Sequence, residues 1–282
     1  MDDLRIDDRD VRVLCDIRNT VGDLPMMIIG AGARRLLFDL PRKLTHARTT
    51  TDWDIAVQLD HWQGFYKFYA RACAQGGFSP TESPHRLIHQ TMKIFVDIVP
   101  FGGIAEDNVI AWPNTEMSMS VAGFAEAMRF ARNTLITAGV EIKVITPEML
   151  AVLKCFAFAD RGNKTSRDLQ DLLLLAEYYS QESVEGRLFE APFDTLIQSD
   201  AFDYHFGGAL LLGHDMAANC EKQALDKLLP ILDRLCIRDS DLLYSLASTP
   251  GQHDLTETKR SLYFNLFYWL ATGAHSVGDS AK

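Results

Sequence analysis

No apolar run in this 282-residue sequence approaches the roughly 18 to 20 residues that a membrane-spanning helix needs. The amino terminus, Met1-Asp2-Asp3-Leu4-Arg5, is acidic, and no apolar segment follows it to act as a signal peptide. Neither secretion nor membrane insertion is expected, and a cytoplasmic protein is. Cysteine is scarce: Cys15, Cys73, Cys155, Cys220 and Cys236 form an odd count without Cys-x-x-Cys spacing. That pattern suits reduced thiols among apolar neighbours and argues against a zinc site. Internal repeats and low-complexity tracts are also absent. Positive charge is in deficit, the net charge being -10, which argues against a general nucleic-acid coat with a basic face.

What is present is unevenly spread. Residues 177–282 carry eight Lys or Arg against sixteen Asp or Glu, whereas residues 1–176 are nearly balanced at 20 against 22. Within the balanced part, Arg34, Arg35, Arg42, Lys43 and Arg48 face only Asp39 over residues 34–48, a basic stretch that could meet phosphates. With 47% apolar residues, the chain can bury a large core. The hydrophobic period changes near residue 146. Before it, helices are predicted over 11–21, 33–40 and 61–75, and strands over 26–29, 54–59, 86–90, 93–101, 109–112, 117–121 and 141–145, with 86–101 forming a hairpin. After it, Thr146 suits an N-cap and Pro147 a first helical position. Helices are predicted over 147–160, 169–179, 209–218, 221–235 and 257–272. The fold class expected is α/β (α+β): a mixed sheet with flanking helices over residues 1–145, then an α-helical domain over 146–282.

Asp52 and Asp54 carry the most information. On a strand these carboxylates share a face, while Trp53 and Ile55 take the other. Their repulsion is relieved by a divalent cation, and carboxylate oxygens are what Mg²⁺ prefers. Two other Asp-x-Asp triplets, Asp8-Asp10 and Asp239-Asp241, read as polar surface. Asp97 lies within Ile94-Phe95-Val96-Asp97-Ile98-Val99, where burying a lone carboxylate is costly. A metal shared with Asp52 and Asp54 would compensate it; so would an ion pair with an arginine, or an edge position facing water. Gly30-Ala31-Gly32-Ala33-Arg34 turns a strand into a helix through small residues, exposing N–H groups able to hold phosphate oxygens; a tight structural turn with no ligand would have the same sequence.

Together these parts resemble the nucleotidyltransferase superfamily that includes DNA polymerase β, with its glycine turn, Asp-x-Asp strand and third Asp on a neighbouring strand. Here the matching residues are Gly30-Ala31, Asp52-x-Asp54 and Asp97. Arg48-Thr49-Thr50-Thr51-Asp52-Trp53-Asp54-Ile55 is similar to the Arg-x-Thr-x-Asp-x-Asp signature of the AbiEii-type toxins within it. Lys154, Asp160-Arg161, Lys164 and Arg167-Asp168-Leu169-x-Asp171-Leu172 are similar to their downstream motifs. The resemblance implies a toxin of a toxin–antitoxin or phage-defence pair, with NTP as substrate, the 3′ end of tRNA as acceptor and a cognate antitoxin as partner. Neither DNA nor a membrane is expected as a partner.

The expected chemistry is transfer of a nucleoside monophosphate to an acceptor hydroxyl, with pyrophosphate released and two Mg²⁺ ions absorbing charge; Mn²⁺ could substitute. Asp52 and Asp54 would hold one metal; Asp97 with both would hold the second and could take the acceptor's proton. Gly30, Ala31, Arg34, Thr50 and Thr51 are candidates for nucleotide contact, the threonines serving equally well as strand-edge residues. Lys154 lies beside the apolar stripe of its helix and could reach a phosphate or extend to water. Asp168 could orient Lys154 or Arg34, or only favour its helix dipole. His205 and His214 have no metal-like spacing. A protein hydroxyl or a small molecule remains open as acceptor. The alternative from another class is a catalytically silent nucleotide- or partner-binding module.

Overall fold

Buried apolar residues on two neighbouring strands set the architecture of the first half of the chain. In β2 (Asp52–Gln58) Trp53, Ile55 and Val57 are buried, and in β5 (Phe95–Phe101) so are Val96 and Ile98. The two run parallel in the register Asp52 to Phe95 through Gln58 to Phe101. β1 (Met26–Ile29), apolar and wholly buried, lies antiparallel to β2 on its other side. The structure is a computed structural model describing residues 6–44, 51–113, 115–161, 166–179, 186–248 and 252–279. Both helix and strand are well represented, as an α+β fold requires. The chain divides into two compact units, residues 1–150 and 151–282.

The first unit is built on a mixed seven-stranded sheet in the order β3-β4-β5-β2-β1-β9-β8. β3 (Phe78–Pro80) and β4 (Arg86–His89) extend one side; β8 (Arg132–Thr137) and β9 (Val140–Val144) form the other, β9 parallel to β1. β6 (Val109–Ala111) and β7 (Ser118–Ser120) make a separate ribbon. Its helices are α1 (Asp8–Val21), α2 (Gly30–Arg34), α3 (Trp62–Gln75) and α4 (Phe124–Phe130). Asp7 caps α1 by accepting from the Arg9 N–H. The helix predicted over 33–40 begins earlier, at Gly30, and continues through Arg35–Asp39 as a π-helical turn. β3, β8 and α4 were not anticipated: β3 and α4 are short, and β8 opens on the polar run Arg132-Asn133-Thr134.

α5 (Pro147–Arg161) begins in the first unit and continues into the second. The second unit is helical: α6 (Arg167–Tyr178), α7 (Phe193–Leu196), α8 (Gly207–Ala218), α9 (Lys222–Leu235), α10 (Asp241–Ala247) and α11 (His253–Asp279). α8 and α11 meet backbone to backbone. A Cβ on Gly213 would fall 1.8 Å from the Leu270 carbonyl oxygen, and one on Gly273 would fall 1.9 Å from that of Leu210. Two glycines thus permit an approach that any side chain would prevent. α9 turns Ala224, Leu228, Leu232 and Leu235 inward at helical spacing. α11 runs well beyond the predicted 257–272, and its Leu266, Phe267, Trp269 and Leu270 are core residues. Among the described residues, no helix is long and apolar enough to cross a membrane.

Candidate active site

Arg86, Asp97, Asp54 and Ile29 form one row across four strands. Arg86 of β4 is opposite Asp97 of β5, Asp97 is opposite Asp54 of β2, and Asp54 is opposite Ile29 of β1. Side chains in such a row project to the same face of a sheet, so the carboxylates of Asp54 and Asp97 are neighbours, with Asp52 two residues back on the same face. Trp53, between the two acids, points the other way and is buried; its indole N–H donates to Asp10 Oδ1 at 3.0 Å. Asp10 also accepts from Arg35 at 3.0 Å. One of the triplets read as polar surface therefore has a member that ties α1 to β2.

The Gly30 turn is shaped by these strand residues. Gly30 has φ +66°, and a Cβ there would lie 2.1 Å from Asp54 Oδ2. A Cβ on Gly32 would lie 2.6 Å from the Trp53 ring. The two glycines of the motif thus answer the two faces of β2: one admits the Asp54 carboxylate against backbone, the other admits the indole.

The buried Asp97, only 9% exposed, is compensated by a guanidinium. Arg86 donates its Nε to Asp97 Oδ1 and its Nη2 to Asp97 Oδ2, both at 2.6 Å. The same Nη2 reaches Asp52 Oδ2 at 3.1 Å. The hydrogen bonds to Asp97 hold the Arg86 guanidinium above its ordinary pKa. Of the ways to compensate Asp97 weighed from sequence, the arginine ion pair is the one observed. Sequence reasoning did not name Arg86, although counting back from the Gln90–Lys93 ends of the predicted hairpin sets residue 86 opposite residue 97. Beside it, burial lowers the His85 pKa in spite of Asp97.

In kind, the three carboxylates suit a hard divalent cation, and the space left by the missing Gly30 Cβ is where the Asp54 carboxylate sits. In arrangement, no group of three His, Cys, Asp or Glu side chains is disposed to hold a metal among the described residues. Asp52 and Asp97 are drawn instead to Arg86.

The remaining candidates are dispersed. Thr51 is exposed immediately before β2; Thr50, Arg48 and Lys164 lie outside the described residues. Ala31 is buried in α2. Arg34 is 2% exposed, and its Nε donates to Asp39 Oδ2 at 3.0 Å. The basic stretch is not a continuous cationic surface in the part described: Arg34 is interior, Arg35 pairs with Asp10, and Arg42 covers the Phe38 ring at 4.0 Å. Lys43 of the same stretch is exposed.

In the helical unit, Lys154 Nζ lies 3.1 Å from Asp168 Oδ1 and 2.6 Å from Asp171 Oδ2. Its side chain, 13% exposed, is turned to these acids and not to water. Asp168 also accepts from Arg161 at 3.2 Å. Asp168 therefore orients Lys154, one of the roles foreseen for it, while Arg34 has Asp39. His205 and His214 join no metal-binding group among the described residues. Compared with known proteins, the chain matches no protein-family model and no curated protein.

Proposed function

We propose that this protein is a Mg²⁺-dependent nucleotidyltransferase that moves a nucleoside monophosphate from an NTP to an acceptor hydroxyl and releases pyrophosphate. In its biological setting it acts as an AbiEii-like toxin of a toxin–antitoxin or phage-defence pair, modifying tRNA 3′ ends. One observation carries the reading: Asp54 and Asp97 stand opposite each other on adjacent parallel strands, with Asp52 on the same face and Gly30 backbone against the Asp54 carboxylate. Three acids with that coincidence of register are not required by the sheet itself, whose stability comes from buried apolar residues on both of its faces, Val96 and Ile98 on one and Val99 and Phe101 on the other.

Bound Mg²⁺ would supply charge neutralisation on the triphosphate and a lowered pKa for the acceptor hydroxyl. Asp52 and Asp54 would provide its oxygen ligands, with Asp97 completing the set. In this reading an Asp97 oxygen accepts the proton of the attacking hydroxyl. Backbone N–H groups after Gly30 and the Thr51 hydroxyl hold phosphate oxygens.

The test is incubation of the protein with each α-³²P-labelled NTP, Mg²⁺ and total tRNA, followed by separation of RNA, protein and small molecules. Label is expected on RNA, and Asp52→Ala is expected to reduce its transfer by about a hundredfold or more. Equal transfer by wild type and Asp52→Ala would end the assignment of Asp52. A second reading, a silent nucleotide-binding module, is favoured by the grip of Arg86 on Asp97. NTP and Mg²⁺ binding without pyrophosphate release to any acceptor would support it.

A further inference from the structure

The acidic cluster contains a cation of its own. The Arg86 guanidinium uses two N–H groups on the two oxygens of Asp97 and shares one of them with Asp52, while its Cζ stands 5.2 Å from the centroid of the Phe95 ring. The side chain is one-third exposed, so a path to solvent is open to it. A bidentate guanidinium directs its donors at the same in-plane lone pairs that a metal ion would take. A divalent ion at the cluster would also stand beside a fixed positive charge at a separation where like charges repel strongly, because one side of the site is dry.

We infer that Arg86 is the resident counter-ion of the Asp52–Asp54–Asp97 cluster, and that divalent-cation binding and the Arg86–Asp97 pair exclude each other. The inference rests on the metal-dependent reading above. Under it, Arg86 is a positioning residue. It holds Asp97 and Asp52 together and offsets part of their charge while no metal is bound, and it sets the cation concentration at which the site loads, because each binding event must part the salt bridge. Removing the guanidinium leaves a buried carboxylate uncompensated, which lowers stability in the absence of metal but leaves the oxygen ligands available.

The experiment is a Mn²⁺ titration of the full chain, with free Mn²⁺ read by its electron paramagnetic resonance signal. It uses wild type, Arg86→Lys, Arg86→Gln and Asp54→Asn, and each protein is also melted with and without Mn²⁺. Arg86→Gln is expected to bind Mn²⁺ on the order of tenfold more tightly than wild type, a ratio set by the worth of a charge-assisted pair. Arg86→Lys, which keeps the charge but loses the two-point grip, falls between them. Arg86→Gln melts lower than wild type without metal and gains more on adding Mn²⁺, a crossing that a merely structural arginine would not produce. If Arg86→Gln is too unstable to study, the comparison of Arg86→Lys with wild type decides the matter. Equal or weaker Mn²⁺ binding in the Arg86 variants overturns the inference while leaving the metal site standing. Mn²⁺ binding that is absent from every form, or unchanged in Asp54→Asn, overturns both the inference and the metal-dependent reading.

Discussion

A carboxylate inside a strand is tolerable only beside a positive charge, and Asp97 has one at 2.6 Å. The same economy of space governs Gly30, whose missing side chain is filled by the Asp54 carboxylate. Gly30→Ala would place a methyl group on that carboxylate and hold a non-glycine residue at φ +66°. We expect a stability loss of about 1–3 kcal/mol from the clash and the backbone strain together. Displacement of Asp54 should abolish transfer activity as well. Urea denaturation and the labelled-NTP assay on one preparation check this; a variant as stable and as active as wild type would remove the steric account. At this scale the sequence is readable for residue type and periodicity. Asp52 and Asp54 could be paired in advance because strand alternation puts them on one face, whereas Asp97, on another strand, was joined to them only through a supposed shared metal and the family resemblance. Arg86 is set opposite Asp97 only once the hairpin register is counted, and nothing local to Asp10 in the sequence pairs it with Trp53.

Helices were the most legible elements, since a period of 3.6 is sustained over three or more turns in α1 and α9 and Thr146-Pro147 marks the start of α5. Their polar contacts were less so. Lys154 on α5 stands between Asp168 and Asp171 of α6, one helical turn apart, so the pair joins two helices through a nearly dry contact. Lys154→Met would remove the cation that the two buried acids share, leaving Arg161 on Asp168. The expected cost is about 3–5 kcal/mol, the range for breaking a buried pair by removing one partner. Thermal unfolding read by circular dichroism would show it. A variant that melts with wild type but cannot transfer label would assign Lys154 to chemistry instead. The short elements β3, α4 and α10 escaped prediction because they span less than two alternations or two helical turns, and β8 because it opens on the polar run Arg132-Asn133-Thr134.

Across the whole chain, a net charge of -10 and the partnered state of Arg34, Arg35 and Arg42 leave little to attract a polyanion at long range. If tRNA is the acceptor, it is expected to bind weakly at physiological salt. The logarithm of its affinity should fall with that of salt concentration by a slope of about 2 or less, equivalent to two or three phosphate contacts. Filter binding over a salt series measures this; a slope of about 5 or more would show a cationic surface that these residues do not provide. The change of hydrophobic period near residue 146 was visible in the sequence, and the compact units divide between 150 and 151, inside the helix that Thr146 and Pro147 begin. Strand order was not visible, because β1 pairs with β2 and with the distant β9, and nothing local encodes a partner more than a hundred residues away. The margins of that sheet carry a last consequence. β3 is three residues long and ends in Pro80, which lacks an N–H; β8 opens on exposed Arg132 and is broken by a register shift between Leu135 and Thr137. A strand from another molecule would find a short template on one margin and a kinked, charged one on the other. The native sheet is therefore a poor seed for fibrils, and self-association at high concentration should await unfolding.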